Sequence, residues 1–181
     1  MTRQDIKYTR YYAEVMRMLT SHGLLVGSYD AAGKANLMTI GWGAIGSLWG
    51  VPLWTILVRP SRYTYRCIEH TGCFTVNVPT ERLAMSCAVC GSKSGRDTDK
   101  FAACNLTAEK GRTVLAPTVA EFPLVYECQV VHSNDILPAR LADEIMSGAY
   151  MDGDFHRVYF GKILSVRAAP DADELLRQTG A

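Results

Sequence analysis

The sequence predicts a mainly β fold: an antiparallel barrel, closed or partly closed, with short helices around it. Three features carry that reading. Apolar runs of strand length recur along the chain, about six or seven in all, and many are bounded by turn residues. Two of them flank Gly50 and Pro52 and lie too close together for the crossover helix that parallel strands require. The helical stretches between runs are several and short.

In chain order, residues 9–20 predict a helix, because Tyr12, Val15, Met16 and Leu19 recur at helical spacing and Gly23 follows as a stop. Residues 24–29 form a short apolar strand, 30–34 a turn around Gly33, and 36–45 and 53–58 two further strands. Residues 61–70 predict a second helix, preceded by Pro60, capped by Ser61 and ended by Gly72. The run CFTVNV at 73–78 is a strand. Residues 80–87 predict a helix with Thr80 as its cap, 91–99 a polar loop, and 100–103 a short helix. A long strand is expected at 124–133, a helix at 140–147, a strand at 156–168 and a closing helix at 171–178. No repeat, low-complexity tract or linker interrupts this order, so 1–181 reads as a single domain.

Composition narrows the class. The apolar fraction of 48% and charged fraction of 20% are those of a soluble globular domain. A net charge of +1 gives no general field that would draw nucleic acid or an acidic membrane. Residues 35–58 carry no charge and are long enough for a membrane span, but five glycine or proline positions (Gly41, Gly43, Gly46, Gly50 and Pro52) and interspersed polar residues read better as two buried strands joined by a turn. The charged start lacks an apolar signal segment, which implies a cytoplasmic protein whose six cysteines stay reduced.

Several motifs are misleading. Gly41, Gly43 and Gly46 match the GxGxxG of dinucleotide folds, yet the following strand leaves no room for the opening helix. Glycines in such a strand let a flat ligand approach the backbone or mark a bulge. Cys87 and Cys90 form a CxxC without a second ligand pair for zinc and without a βαβ context, so they read as buried thiols, with a redox pair as the secondary reading. GSKSG has Lys93 where a nucleophile elbow needs serine. None of His22, His70, His132 and His156 stands at triad spacing to a Ser or Cys, and no catalytic residue is assigned.

The informative constellation lies elsewhere. RPSRYTYR places Arg59, Ser61, Arg62 and Thr64 at a helix start, where free N–H groups and the helix dipole receive phosphate. A second segment, Ser92-Lys93-Ser94-Gly95-Arg96, has the same small, hydroxylated and cationic chemistry. Read separately, these are a capped helix and a solvated loop. Beside an aromatic, glycine-bearing strand they suit a ligand with a phosphate at one end and a planar ring at the other.

The segments NLMTIGWGAIGSLWGVPLWTILVRPSRYTY, FTVNVP and CGSKSGRDTDKF, with the late GDFHRVYFGKILSV, resemble the flavin reductase-like, flavoredoxin-type family over residues 24–166. That resemblance implies an FMN-binding split β-barrel with a Greek-key core. It implies a homodimer with FMN near the interface. Asn36, Met38, Thr39, Ile40, Gly41 and Trp42 would then flank the isoalloxazine ring, with Trp42 either packing on the ring or serving as core. Ser61, Arg62 and Thr64 would hold the phosphate side, and Lys93, Ser94 and Arg96 would close over the cofactor. Asn77 and His156 are weaker candidates. NADH or NADPH would be the transient electron donor, with no feature choosing between them, and a small molecule or a protein the acceptor. Three functions stay open: a reductase of flavin or ferric chelates, an electron carrier to protein partners, and a flavin-binding module without turnover.

Overall fold

The computed structural model describes residues 2–177. Its strands are β1 (Gln4–Asp5), β2 (Leu24–Tyr29), β3 (Ala35–Ile40), β4 (Gly43–Leu48), β5 (Val51–Val58), β6 (Cys73–Val78), β7 (Ala108–Lys110), β8 (Pro117–Val119), β9 (Leu124–Asp135) and β10 (Arg157–Ala168). Its α-helices are α1 (Tyr12–Ser21), α2 (Tyr63–Thr71), α3 (Ala84–Ser92), α4 (Lys100–Ala103), α5 (Asp143–Ala149) and α6 (Ala172–Arg177). Short 3-10 turns occupy Glu81–Leu83 and Pro138–Arg140.

The strands pair antiparallel in the order β3-β2-β6-β9-β10-β5-β4. β1 continues the β5 side of β10, with Gln4 opposite Ala168, and β7 and β8 form a separate ribbon. The path starts at β3 and ends at β4. These two are neighbours in sequence, joined only by Gly41-Trp42, yet no ladder connects them. The barrel is therefore split, and the split lies beside β3.

Alternation explains how the layers pack. Leu24 and Val26 of β2 point into the main core with Trp54, Phe74, Tyr126 and Ile163, while Leu25 points the other way. There Leu25 and Leu37 meet Cys87 and Cys90 of α3 and Phe101 of α4. β2 is thus buried on both faces, and α3 and α4 are held against the outside of β2 and β3. Each fully buried side chain of this kind contributes about 1.5–3 kcal/mol. On β10, a Cβ at Gly161 would lie 2.8 Å from the Cβ of Cys128 and inside the Phe74 ring contact, so the strand crosses the core only with glycine there. The ladder to β9 shifts register next to it.

Several boundaries differ from expectation. The strand expected at 36–45 breaks at Gly41-Trp42, because β3 bonds to β2 and β4 to β5 at opposite ends of the sheet path. The helix expected from Ser61 starts at Tyr63; Arg62 occupies the cap position, and Ser61 Oγ donates instead to Asp154. Thr80 makes no side-chain cap, and the helix placed at 80–87 is a 3-10 turn followed by α3, which runs on through Gly91 and Ser92 of the expected loop. The stretch 140–147 likewise divides into a 3-10 turn and α5. β9 continues to Asp135. The closing helix spans Ala172–Arg177, and the expected end at Gln178 lies outside the described residues. Among the described residues no helix is long and apolar enough to cross a membrane, and the charge-free stretch 35–58 is β3, β4 and β5.

Candidate functional site

Two adjoining clefts open along the split. The larger, about 220 Å³, is lined by Met38 to Trp42 on one side, and by Leu57, Arg59, Arg62 and His156 on the other. β3 is an edge strand here. Lys100 Nζ donates to the Leu37 carbonyl at 2.7 Å, which shows that this carbonyl points away from β2. In an antiparallel strand the next residue but one presents its N–H and C=O to the same side. Thr39 therefore turns its backbone donor and acceptor to the open edge, while its Oγ1 donates to the Cys87 carbonyl at 2.5 Å and fixes β3 to α3.

Trp42 and His156 border this cleft, and two further rings pack behind them. The Trp42 ring lies 5.0 Å from His156 and 6.2 Å, edge-on, from Tyr150, which stacks on Phe155 at 4.9 Å. The Tyr150 hydroxyl and His156 Nδ1 are 2.8 Å apart. Arg59 organises the segment that carries these rings: it donates to the carbonyls of Ala149 at 3.1 Å and Asp154 at 3.2 Å and sits 5.4 Å over the Tyr150 ring. Burial, reinforced by Arg59 and Arg62 and opposed by Asp154, lowers the His156 pKa to about 4. The imidazole is neutral at neutral pH and adds a flat polar surface rather than a charge.

The smaller cleft, about 90 Å³, is cationic. Ser61, Thr64, Lys93, Ser94, Arg96 and Lys100 all border it, and it shares Met38 and Arg62 with the larger one. The N-terminus of α2 opens here with no side-chain cap. Lys100 is 5% exposed, donates to the Leu37 and Cys90 carbonyls at 2.7 and 2.8 Å, and has no carboxylate partner among the described residues. Burial lowers its pKa. Its bond to Cys90 also satisfies a carbonyl in the last turn of α3, where a cation is favoured by the helix dipole. Arg62 and Lys93 make no side-chain ion pair among the described residues. Arg96 donates to the Ser61 carbonyl at 3.2 Å and lies 5.6 Å over the Tyr63 ring, so the loop and the start of α2 are bound together. Gly95 makes that approach feasible: a Cβ there would overlap Asn36 Oδ1 and stand 2.9 Å from Tyr63 Cδ1.

Of the residues singled out by sequence, Met38, Thr39, Ile40, Gly41, Trp42 and His156 border the larger cleft. Ser61, Thr64, Lys93, Ser94 and Arg96 border the smaller, and Arg62 borders both. Asn36 borders neither. It is buried beneath them, donating to Thr64 Oγ1 at 2.8 Å, with its Oδ1 unpartnered. Asn77 stands apart as a structural residue: it donates to Leu25 O and Thr75 Oγ1 and accepts from Val119 N–H. Sequence reasoning did not assign Lys100, Tyr150 or Phe155. Lys100 was legible only as a cation four residues beyond Arg96 on a short helix. The CxxC cysteines also separate: Cys87 Sγ faces the Gly23 carbonyl, whereas Cys90 Sγ lies 3.9 Å from Cys104 Sγ. Burial raises the Cys87 thiol to about 12 and raises Cys90 as well.

Along the split of this antiparallel barrel a cationic cleft adjoins one bordered by Trp42 and His156. The chain belongs to the flavin reductase-like family: residues 16–181 match the flavin reductase like domain. It is 32% identical over 130 residues, 70% of its length, to the uncharacterized protein YddH of Escherichia coli (strain K12), and spans 65% of that protein. Among solved structures, the flavoredoxin of Desulfovibrio vulgaris (Miyazaki F) is 29% identical with a TM-score of 0.67, covering 82% of this chain and 70% of that one. An FMN-binding domain of a flavin reductases-like enzyme from Shewanella baltica OS155 shares the fold at 18% identity, with a TM-score of 0.63 over 92% of this chain and 77% of that one.

Proposed function

We propose that this protein binds FMN, with the phosphate in the smaller cleft and the ring in the larger, and acts as an oxidoreductase through it. The carrying observation is the buried Lys100, which has no carboxylate partner among the described residues, at the meeting of α2, β3 and the 93–99 loop. A buried ammonium without a counter-charge is costly, and an anion in the cleft relieves it. FMN matches the rest of the donor set: the uncapped α2 start, Arg62 and Lys93, which make no ion pair among the described residues, and an adjoining cleft that shares Met38 and Arg62 and has an edge strand on one side.

When bound, FMN supplies reversible two-electron chemistry at its ring. The chain's own residues bind, orient and shield. The Thr39 backbone offers a donor and an acceptor to a heterocycle edge. Arg59 and Arg62 provide positive potential that favours an anionic ring. Trp42 and the neutral His156, backed by Tyr150, restrict water at the mouth. NADH or NADPH is the donor in this reading, and the acceptor is a flavin, a ferric chelate or a related small molecule. The likeness to flavoredoxin favours a second reading, a carrier that passes electrons to protein partners. We also infer a homodimer, supported by the 67% exposed Trp49, which sits with His132 and Phe160 on the sheet surface.

The test is the absorption spectrum of purified protein titrated with FMN, followed by anaerobic NADH and NADPH. Bound flavin bleached by either nucleotide supports the reductase. Bound flavin reduced by dithionite but by neither nucleotide supports the carrier. Failure to bind FMN removes both. Light scattering reads the dimer, and a monomer mass removes it.

A further inference from the structure

We propose that Cys90 and Cys104 are a modification site: a thiol pair that hydrogen peroxide converts to a disulfide, tying down the loop that borders the cationic cleft. The sulfurs are 3.9 Å apart, one at the end region of α3 and the other just past α4. A disulfide needs about 2.05 Å, so the side chains must close by roughly half the present gap. The two cysteines bracket the segment that carries Lys93, Ser94, Gly95, Arg96 and Lys100. Cys90 itself borders the cleft, and its carbonyl is held by Lys100. The CxxC spacing points to Cys87 as the partner, but the Cys87 sulfur is turned to the Gly23 carbonyl.

The two thiols differ in access. Cys90 is fully buried, whereas Cys104 is partly exposed at the margin of the cluster around Leu25 and Phe101, with its sulfur also 3.9 Å from the Ser86 carbonyl. Oxidation therefore begins at Cys104. Its sulfur attacks the peroxide, the O–O bond breaks, and a sulfenic acid and one molecule of water form. The Cys90 sulfur then displaces the sulfenic oxygen, which leaves as a second water. The thiols together lose two electrons and two protons, and the peroxide takes up both. Burial raises the Cys90 thiol, so the second step quickens with rising pH.

The bond closes a loop that already leans on α2 through Arg96. Its freedom to lift falls, and a bound ligand then pays less to order it. This last consequence rests on the FMN reading; the disulfide and the tying of the loop do not.

The experiment treats the full chain with hydrogen peroxide, blocks free thiols under denaturing conditions and maps the peptides. The expected result is a Cys90–Cys104 cross-link reversed by dithiothreitol, absent in Cys104→Ser and retained in Cys87→Ala. Cys104 accumulating as sulfinic acid while Cys90 stays alkylatable overturns the proposal. On native protein, trypsin should cleave after Lys93 or Arg96 about tenfold more slowly in the oxidised form. Equal cleavage overturns the tying of the loop. Release of FMN into dilute buffer should slow about tenfold in the same form. Absence of FMN binding strikes only the earlier reading, because the cross-link map and the cleavage rate need no flavin.

Discussion

Substitution of Gly95 by alanine adds a single methyl group where the loop bordering the cationic cleft meets Asn36 and Tyr63. That methyl would overlap Asn36 Oδ1 and lie 2.9 Å from Tyr63 Cδ1, where carbon contacts settle at about 3.5–4 Å. Neither neighbour can yield cheaply. Asn36 is buried and bonded to Thr64, and the Tyr63 hydroxyl donates to Asp30 at 2.9 Å while Arg96 covers its ring. Overpacking of this kind costs about 1–3 kcal/mol. The exposed loop has fewer restraints than β3 or α2, so it moves outward and takes Lys93, Ser94 and Arg96 from the cleft. FMN affinity, followed by quenching of flavin fluorescence, should fall about 5- to 150-fold, the equivalent of that cost. Gly46→Ala is the control: nothing lies within 4 Å of the added methyl, and stability and affinity should stay near wild type. Affinity within twofold of wild type for Gly95→Ala would refute the idea that this close approach holds the loop in place.

Lys93→Ala should weaken FMN by less than about fivefold, since Lys93 is exposed and solvent screens its charge. Arg62→Ala should cost more than about tenfold because Arg62 borders both clefts; calorimetric titration giving the reverse order contradicts the site. His156 should titrate near pH 4 by NMR. Its folded pKa lies below the unfolded value of 6.5, so the unfolded chain binds the extra proton between the two and stability falls on acidification across that window; a midpoint near 6.5 would show the ring to be solvated. For Glu127, burial acts to raise the carboxyl, but hydrogen bonds from Thr113 and the backbone of Arg112, with Arg167 at 2.7 Å, outweigh it and hold the pKa below 4.5. Its stabilisation is present above the unfolded pKa and lost as pH falls through the folded one. Glu127→Gln should lower stability at pH 7 by about 3 kcal/mol and flatten this acid dependence in urea unfolding, and an unchanged pH profile would remove Glu127 as its source.

Strand-length apolar runs, a Gly-Pro turn and the absence of room for a crossover helix make the antiparallel barrel legible in the sequence. Those signals are local, which is why they worked. The break at Gly41-Trp42 was hidden because β3 and β4 look alike as sequence, and only their pairing with β2 and β5 separates them. Ser61 has the chemistry of a helix cap, but Asp154, far along the chain, competes for its hydroxyl. β1, β7 and β8 are two or three residues long and leave no periodic trace. In the site, Ser61, Arg62, Thr64 and the 93–96 loop could be grouped by shared chemistry. Lys100 could not, since a lysine beside Asp99 on a short helix reads as a surface charge until the packing of Phe101 against β2 and β3 carries it inward. Tyr150 joins the rings of the larger cleft through its contacts with Trp42 and His156 and brings Phe155 with it, and Arg59 holds their segment through carbonyl partners about ninety residues away.

The split beside β3 decides what a visiting molecule must undo. Because no backbone rung crosses it, entry parts no strand from its neighbour. Any yielding falls on the Trp42 ring and on the turn between α3 and α4. The protein motions that entry calls on are thus those of side chains and loops, roughly nanoseconds to microseconds, rather than the far slower rupture of a sheet. A doorway of this kind asks nothing of the sheet on which the rest of the barrel depends.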